Sequence, residues 1–164
     1  MILLLVTAIT TALIAGLFYA WTCSVTTGLA LLPDSEYISA MQSLNRAILN
    51  PLFFASFFGT TILLPVSTYM QYEQPLPSGF WYLLAATVIY LLGVLGVTMI
   101  GNVPLNNALD SFNISTSSVE EIATRRHTFE LNWNRLNTIR TIASIISLVL
   151  VLLTCMNRTG LGKH

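Results

Sequence analysis

Charge is scarce in this sequence. Seven basic and seven acidic residues make up only 9% of the 164 positions, against about 25% in an ordinary soluble domain. So few charges could not cover a soluble fold, and because they cancel there is no field to attract nucleic acid or an acidic partner. Only two cysteines occur, Cys23 and Cys155, each inside an apolar run where a thiol is a small packing residue. That excludes a disulfide framework and leaves the redox compartment unread. Histidine is nearly absent, with His127 and the extreme C-terminal His164. No second His, Cys or carboxylate stands at ligand spacing, so no metal site and no cofactor is expected. There is no glycine-rich phosphate loop, no Ser-His-Asp arrangement and no basic-aromatic interleaving.

What is present is apolar: 54% of residues. A helix needs about 20 mostly apolar residues to cross the hydrocarbon core, and four segments qualify. They run at about 2–28, 51–70, 80–101 and 138–156. The first begins without the basic residues of a signal peptide and reads as a retained helix. Pro51 suits a first turn, where its missing N–H is harmless. Phe80, Trp81 and Tyr82 open the third run as an interfacial aromatic cluster. The turn at 71–79, rich in Pro and Gly, makes runs two and three an antiparallel hairpin. The expected fold is therefore all-α, one integral membrane domain built as a four-helix bundle.

On the first run Ala8, Ala12, Gly16, Ala20, Ser24 and Gly28 recur every fourth residue, as do Ala55 and Gly59 on the second. Small side chains let helices approach closely in lipid. Two uses stand open: packing within the bundle, or a homo-oligomer interface. Basic residues set the orientation. The first and third connections carry Arg46, Arg125, Arg126, Arg135 and Arg140, while the other side has Arg158 and Lys163. The positive-inside rule then puts both termini outside the cytoplasm.

Polar chemistry gathers in the two long connections. In the first, Asp34 can cap a helix whose Ile38, Met41, Leu44 and Ile48 share one face. This reads as an amphipathic helix at the membrane surface, Arg46 meeting lipid phosphate; Asn45 and Asn50 belong either to that surface or to a pocket. The third run ends in Gly101-Asn102-Val103-Pro104-Leu105-Asn106, where proline disfavours helix. Asn102 and Asn106 either cap the terminated helix or wall a pocket. Ser118-Val119-Glu120-Glu121 is a capping box, and neither Gly nor Pro follows until Gly160. The fourth helix is thus expected to start outside the bilayer. Along it Glu130, Trp133, Asn134, Asn137, Arg140 and Thr141 form one stripe entering the apolar segment, where polar residues are costly and tend to be functional.

Three motifs occur in order: Leu44-Asn45-Arg46-Ala47-Ile48-Leu49-Asn50-Pro51, then Asn102-Val103-Pro104-Leu105-Asn106, then Trp133 with Asn137 and Arg140-Thr141 before a last apolar helix. Together they resemble the anthrone oxygenase-like family of small four-helix membrane proteins, once grouped as domain of unknown function family 1772. The likeness covers roughly residues 8 to 155. It implies a four-helix bundle and, by analogy with some fungal members, oxidation of anthrones to anthraquinones by molecular oxygen. Such chemistry needs an apolar slot, a base and donors for an enolate oxygen. Asn45, Asn102, Asn106, Trp133, Asn137 and Arg140 are the candidate substrate-binding residues, with Trp133 as a stacking surface. Glu130 and His127 are the candidate bases, although neither belongs to the matched motifs. The competing reading is a non-enzymatic lipid- or quinone-binding subunit. Expected partners are membrane lipid and a hydrophobic small molecule, with no nucleic acid. A channel or transporter is disfavoured by the lack of acidic residues in the spans and of internal repeats.

Overall fold

A computed structural model describes residues 1–159; Lys163 and His164 lie outside them. The order is α1 (Ile2–Leu29), α2 (Asp34–Ala47), α3 (Pro51–Tyr69), α4 (Ser78–Asp110), a single 3-10 turn (Ile114–Thr116) and α5 (Val119–Thr159). Four of these, all but α2, are long and apolar enough to cross a membrane. α1 packs on α3 and α5, α3 on α4, and α4 on α5, which gives an up-down-up-down bundle. Leu5, Ile9, Leu13, Ile62, Val88, Leu92 and Ile146 face outward, as lipid-facing residues do. Hydroxyls pin the helices together within: Thr7 to Ser67 at 2.8 Å, Thr68 to Thr87 at 2.9 Å, and Ser147 donating to the Ala86 carbonyl at 3.2 Å. Each satisfies a polar group that lipid cannot, and such bonds average about 0.6 kcal/mol in membranes.

The small-residue row on α1 is not the bundle's packing face. Ala8 is buried, but Ala12, Gly16, Ala20, Ser24 and Gly28 are exposed, and a Cβ added at Gly16 or Gly28 would meet nothing. At about 100° per residue, each four-residue step turns the row by about 40°. It winds about half-way round the helix instead of facing one neighbour. The buried face is Leu4, Thr7, Thr11, Ile14 and Phe18, whose alternating three- and four-residue steps hold direction. The closest approach is elsewhere. On α4 a Cβ at Gly93 would stand 2.6 Å from the Ala143 Cβ of α5, so glycine is what lets those helices touch.

Pro104 does not end the third span. α4 runs on to Asp110 through π-helical turns at Leu91–Gly96 and Thr98–Asn102. The Val103 N–H reaches back five residues to the Thr98 carbonyl, so the ring falls where the ladder has already widened. A third π-helical turn, Trp21–Val25, lies in α1.

α2 packs on protein where a surface position was expected. Tyr37, Ile38 and Met41 join Leu29, Leu109, Ile122, Phe129 and Trp133 in a second core beyond the bundle. Asp34 is not its cap: Pro33 holds that position without a side-chain bond. Asp34 instead pairs with Arg126 at 2.9 Å. Arg126 also donates to the carbonyls of Ala30 and Leu32 and stacks on Tyr37. Arg46 pairs with Asp110 at 2.6 Å, so it has a protein carboxylate where lipid phosphate was expected. Asn50 resolves as a cap, accepting from Leu52 and Phe53 N–H at 3.1 Å. The capping box forms as expected: Ser118 N–H donates to Glu121 Oε2 at 2.7 Å, and Glu121 N–H to Ser118 Oγ at 3.3 Å.

Candidate functional site

Where the bundle meets the second core, four segments enclose a cavity of about 80 Å³. α5 contributes Trp133 and Arg140; α4 contributes Thr98, Asn102 and Asn106, set on one face by four-residue steps. α1 supplies Leu17, Phe18 and Trp21, and the α2–α3 corner supplies Asn45, Ile48, Leu49 and Phe53. Five residues singled out from sequence thus line one space: Asn45, Asn102, Asn106, Trp133 and Arg140. Asn137 stands behind them, its Oδ1 accepting from Arg140 at 2.9 Å and its Nδ2 donating to Thr22 Oγ1 at 3.0 Å. Thr22 and Thr141 share a hydrogen at 2.9 Å, which ties α1 to α5 beneath the cavity.

Arg140 dominates the site. Its side chain is buried, with only 6% of the residue exposed, and it makes no ion pair among the described residues. The guanidinium lies 4.4 Å from the Phe18 ring centroid and 5.5 Å from that of Trp133. Beyond Asn137 it donates only to Thr98 Oγ1, at 3.4 Å. Among the described residues its Nε has no partner, and neither do Asn102 Nδ2, Asn102 Oδ1 and Asn45 Nδ2. Buried polar atoms are paired in the great majority of cases. Four unpaired ones around a single cavity, one of them on a charged group, mark it off from the packed core.

Trp133 is not a free stacking surface. Trp21 lies 5.1 Å away, Phe129 at 6.4 Å, and its Nε1 donates to Asn106 Oδ1 at 2.9 Å. It holds Asn106 and Arg140 in place. The more open ring is Trp21, which the sequence reading missed together with Phe18, Thr98 and Phe53. A signal existed: Ile14, Phe18 and Trp21 continue the three- and four-residue steps of the buried α1 face.

The two candidate bases are elsewhere. Glu130 is bonded to Arg126 at 3.1 Å, one helical turn away, and His127 is exposed on α5; neither lines the cavity. Glu130 acts instead on the second core. There burial, aided by the Glu130 charge and opposed by Arg126, raises the Tyr37 hydroxyl above its ordinary range.

A family model described as anthrone oxygenase matches residues 52–150, more than half of the chain, taking in most of α3, all of α4 and most of α5. No curated protein and no solved structure matches.

Proposed function

The chain belongs to the anthrone oxygenase family, and on that premise we propose that the Arg140 cavity receives an anthrone-like aromatic ketone as its enolate and presents it to molecular oxygen. An anthrone carries a methylene between two aromatic rings, opposite a ring carbonyl. Loss of one methylene proton places negative charge on the carbonyl oxygen. One observation carries the reading: among the described residues the buried Arg140 guanidinium has no counter-charge and keeps Nε free. A lone buried cation is unfavourable until something anionic joins it. An enolate oxygen meets that need, with the Asn102 and Asn45 amides as further fixed donors, in the manner of an oxyanion hole. The cavity takes only the carbonyl edge, because enclosed sites for whole ligands run to about 300 Å³ or more. The two flanking rings extend past Ile48, Leu49 and Phe53.

The reaction balances without further reagents. The methylene proton leaves to solvent, and the enolate carbon transfers electrons to oxygen and bonds to it. After proton uptake this is a hydroperoxide, and loss of water from it leaves the second carbonyl. Anthrone and oxygen thus become anthraquinone and water. The protein's part is to stabilise the enolate, which lowers the methylene pKa. Glu130 and His127 take no part.

The second reading, a non-enzymatic lipid- or quinone-binding subunit, has its own support: among the described residues no Asp, Glu or His lines the cavity. Oxygen uptake by purified protein supplied with an anthrone separates the two. The oxygenase reading expects one oxygen consumed per anthraquinone formed, with a rate about 100-fold lower in Arg140→Met, as for loss of an oxyanion donor. Uptake no faster than in protein-free buffer would overturn it. Saturable binding of anthraquinone without oxygen uptake would establish the binding subunit.

A further inference from the structure

We propose that the same cavity binds a long-chain fatty acid by its carboxylate, and that membrane fatty acids therefore compete with its substrate. This rests on the anion-binding part of the function above and not on oxygenation. Three features select this ligand. The first is charge. One guanidinium without a carboxylate calls for a single negative charge, and the free donors Arg140 Nε, Asn102 Nδ2 and Asn45 Nδ2 suit a carboxylate, which accepts at two oxygens.

The second is size. One water takes about 10–15 Å³ on this measure, so 80 Å³ admits roughly five to eight atoms of that size. A carboxylate and its first methylenes fit. A phosphodiester bearing glycerol and two acyl arms does not.

The third is position. Phe53 lines the cavity from the first turn of α3, the shortest of the four spans, so the site lies near one boundary of the apolar layer. Fatty-acid carboxylates sit at that depth. The remaining walls at this side, Ile48, Leu49 and Phe53, are apolar, and Leu49 is 63% exposed. An acyl chain can leave there directly into the hydrocarbon, while its head stays on Arg140.

The test uses the Trp81→Phe protein in an uncharged detergent at pH 8, so that emission comes only from Trp21 and Trp133 beside the cavity. Oleate is the probe, with methyl oleate and dioleoyl phosphatidylglycerol as comparisons. Oleate should give a saturable change in emission. Methyl oleate, and oleate with Arg140→Gln, should bind at least about tenfold more weakly, as expected when a charge-assisted hydrogen bond is lost. The methyl oleate comparison needs no change at Arg140 and decides the matter even if that variant fails to fold. Equal binding of methyl oleate would reduce the site to an apolar crevice and overturn the proposal. Phosphatidylglycerol binding as tightly as oleate, or no saturable oleate signal, would also overturn it. Oleate binding to a protein that oxidises no anthrone would sink the oxygenase reading and leave this one standing. Anthrone oxidation unaffected by oleate would do the reverse.

Discussion

Replacing Arg140 with Met separates what the cavity does for folding from what it does for a ligand. Methionine keeps an unbranched stem between Phe18 and Trp133, where its sulfur makes favourable ring contacts. The losses can be counted. Asn137 Oδ1 loses its donor at 2.9 Å, and a stranded buried acceptor costs about 1–3 kcal/mol. Thr98 Oγ1 loses little, since its own bond to the Val94 carbonyl at 2.7 Å survives. The contacts of the cation with the two rings give up about 0.5–2 kcal/mol. Against this stands relief of a buried charge with no carboxylate beside it, worth several kcal/mol even after relaxation. The gain and the losses are of similar size. The ligand-free variant should therefore melt within a few degrees of the parent, at about 2–4 °C per kcal/mol for this chain length. Binding of an anionic ligand should disappear. Thermal unfolding in detergent, read by tryptophan emission, checks the first point, and oleate titration or anthrone-dependent oxygen uptake checks the second. A variant that melts well below the parent yet still binds or turns over would refute the reasoning, because Arg140 would then be a structural tie.

Three further outcomes follow from the fold. Gly93→Ala drives a methyl against Ala143, so it should cost about 1–3 kcal/mol by overpacking; Ala143→Gly in the same protein should restore most of the loss, and a double-mutant cycle on melting temperature measures it. The Tyr37 hydroxyl is raised by burial, so the folded state holds its proton more tightly than the unfolded one. The stability this gives is complete below the ordinary tyrosine value of about 10 and falls as pH rises above it. Tyrosinate absorbance, compared with Tyr37→Phe, should show this ionisation only together with loss of near-ultraviolet dichroism. Finally, Glu73→Cys in the exposed turn between α3 and α4 should react with an impermeant maleimide added outside intact cells, as the positive-inside expectation requires. Labelling only after permeabilisation would invert the topology.

Much of the architecture could be read from periodicity. A run free of Gly and Pro, opened by Ser118 and Glu121, was enough to foresee α5, and three- and four-residue steps along it put Trp133, Asn137 and Arg140 on one face. The placement of Trp133 and Arg140 at one cavity, with Asn137 behind them, agrees with that geometry; their role in binding is the proposal. The winding of the α1 small-residue row could also have been anticipated, because four residues are more than one turn. The bond from Arg126 to Glu130 was readable as a one-turn pair, and it holds Glu130 outside the lining of the Arg140 cavity. Other features had no local signal. Whether Pro104 ends a helix or is absorbed depends on whether a π-helical turn precedes it. That the Trp133 faces are occupied depends on Trp21, over a hundred residues away. Asp34 looked like a cap because its partner Arg126 is also remote, 92 residues on in sequence.

The unequal lengths of the helices bear on where this protein works. α3 has 19 residues, about 28 Å of helix, slightly less than the roughly 30 Å of an average hydrocarbon layer. α4 and α5 overshoot that layer by several turns, so α3 alone registers a change in lipid length. In a thin bilayer such as that of the endoplasmic reticulum, about 27 Å, the corner at Ile48, Leu49 and Phe53 rides among the headgroups. In a sterol-rich bilayer of about 32–33 Å the acyl chains rise past it, or the lipids around it compress. The cavity is then reached from oil in one membrane and from the wet interface in the other. If the cavity binds a ligand as proposed, bilayer thickness would thus retune which molecules reach Arg140, with no change in a single side chain.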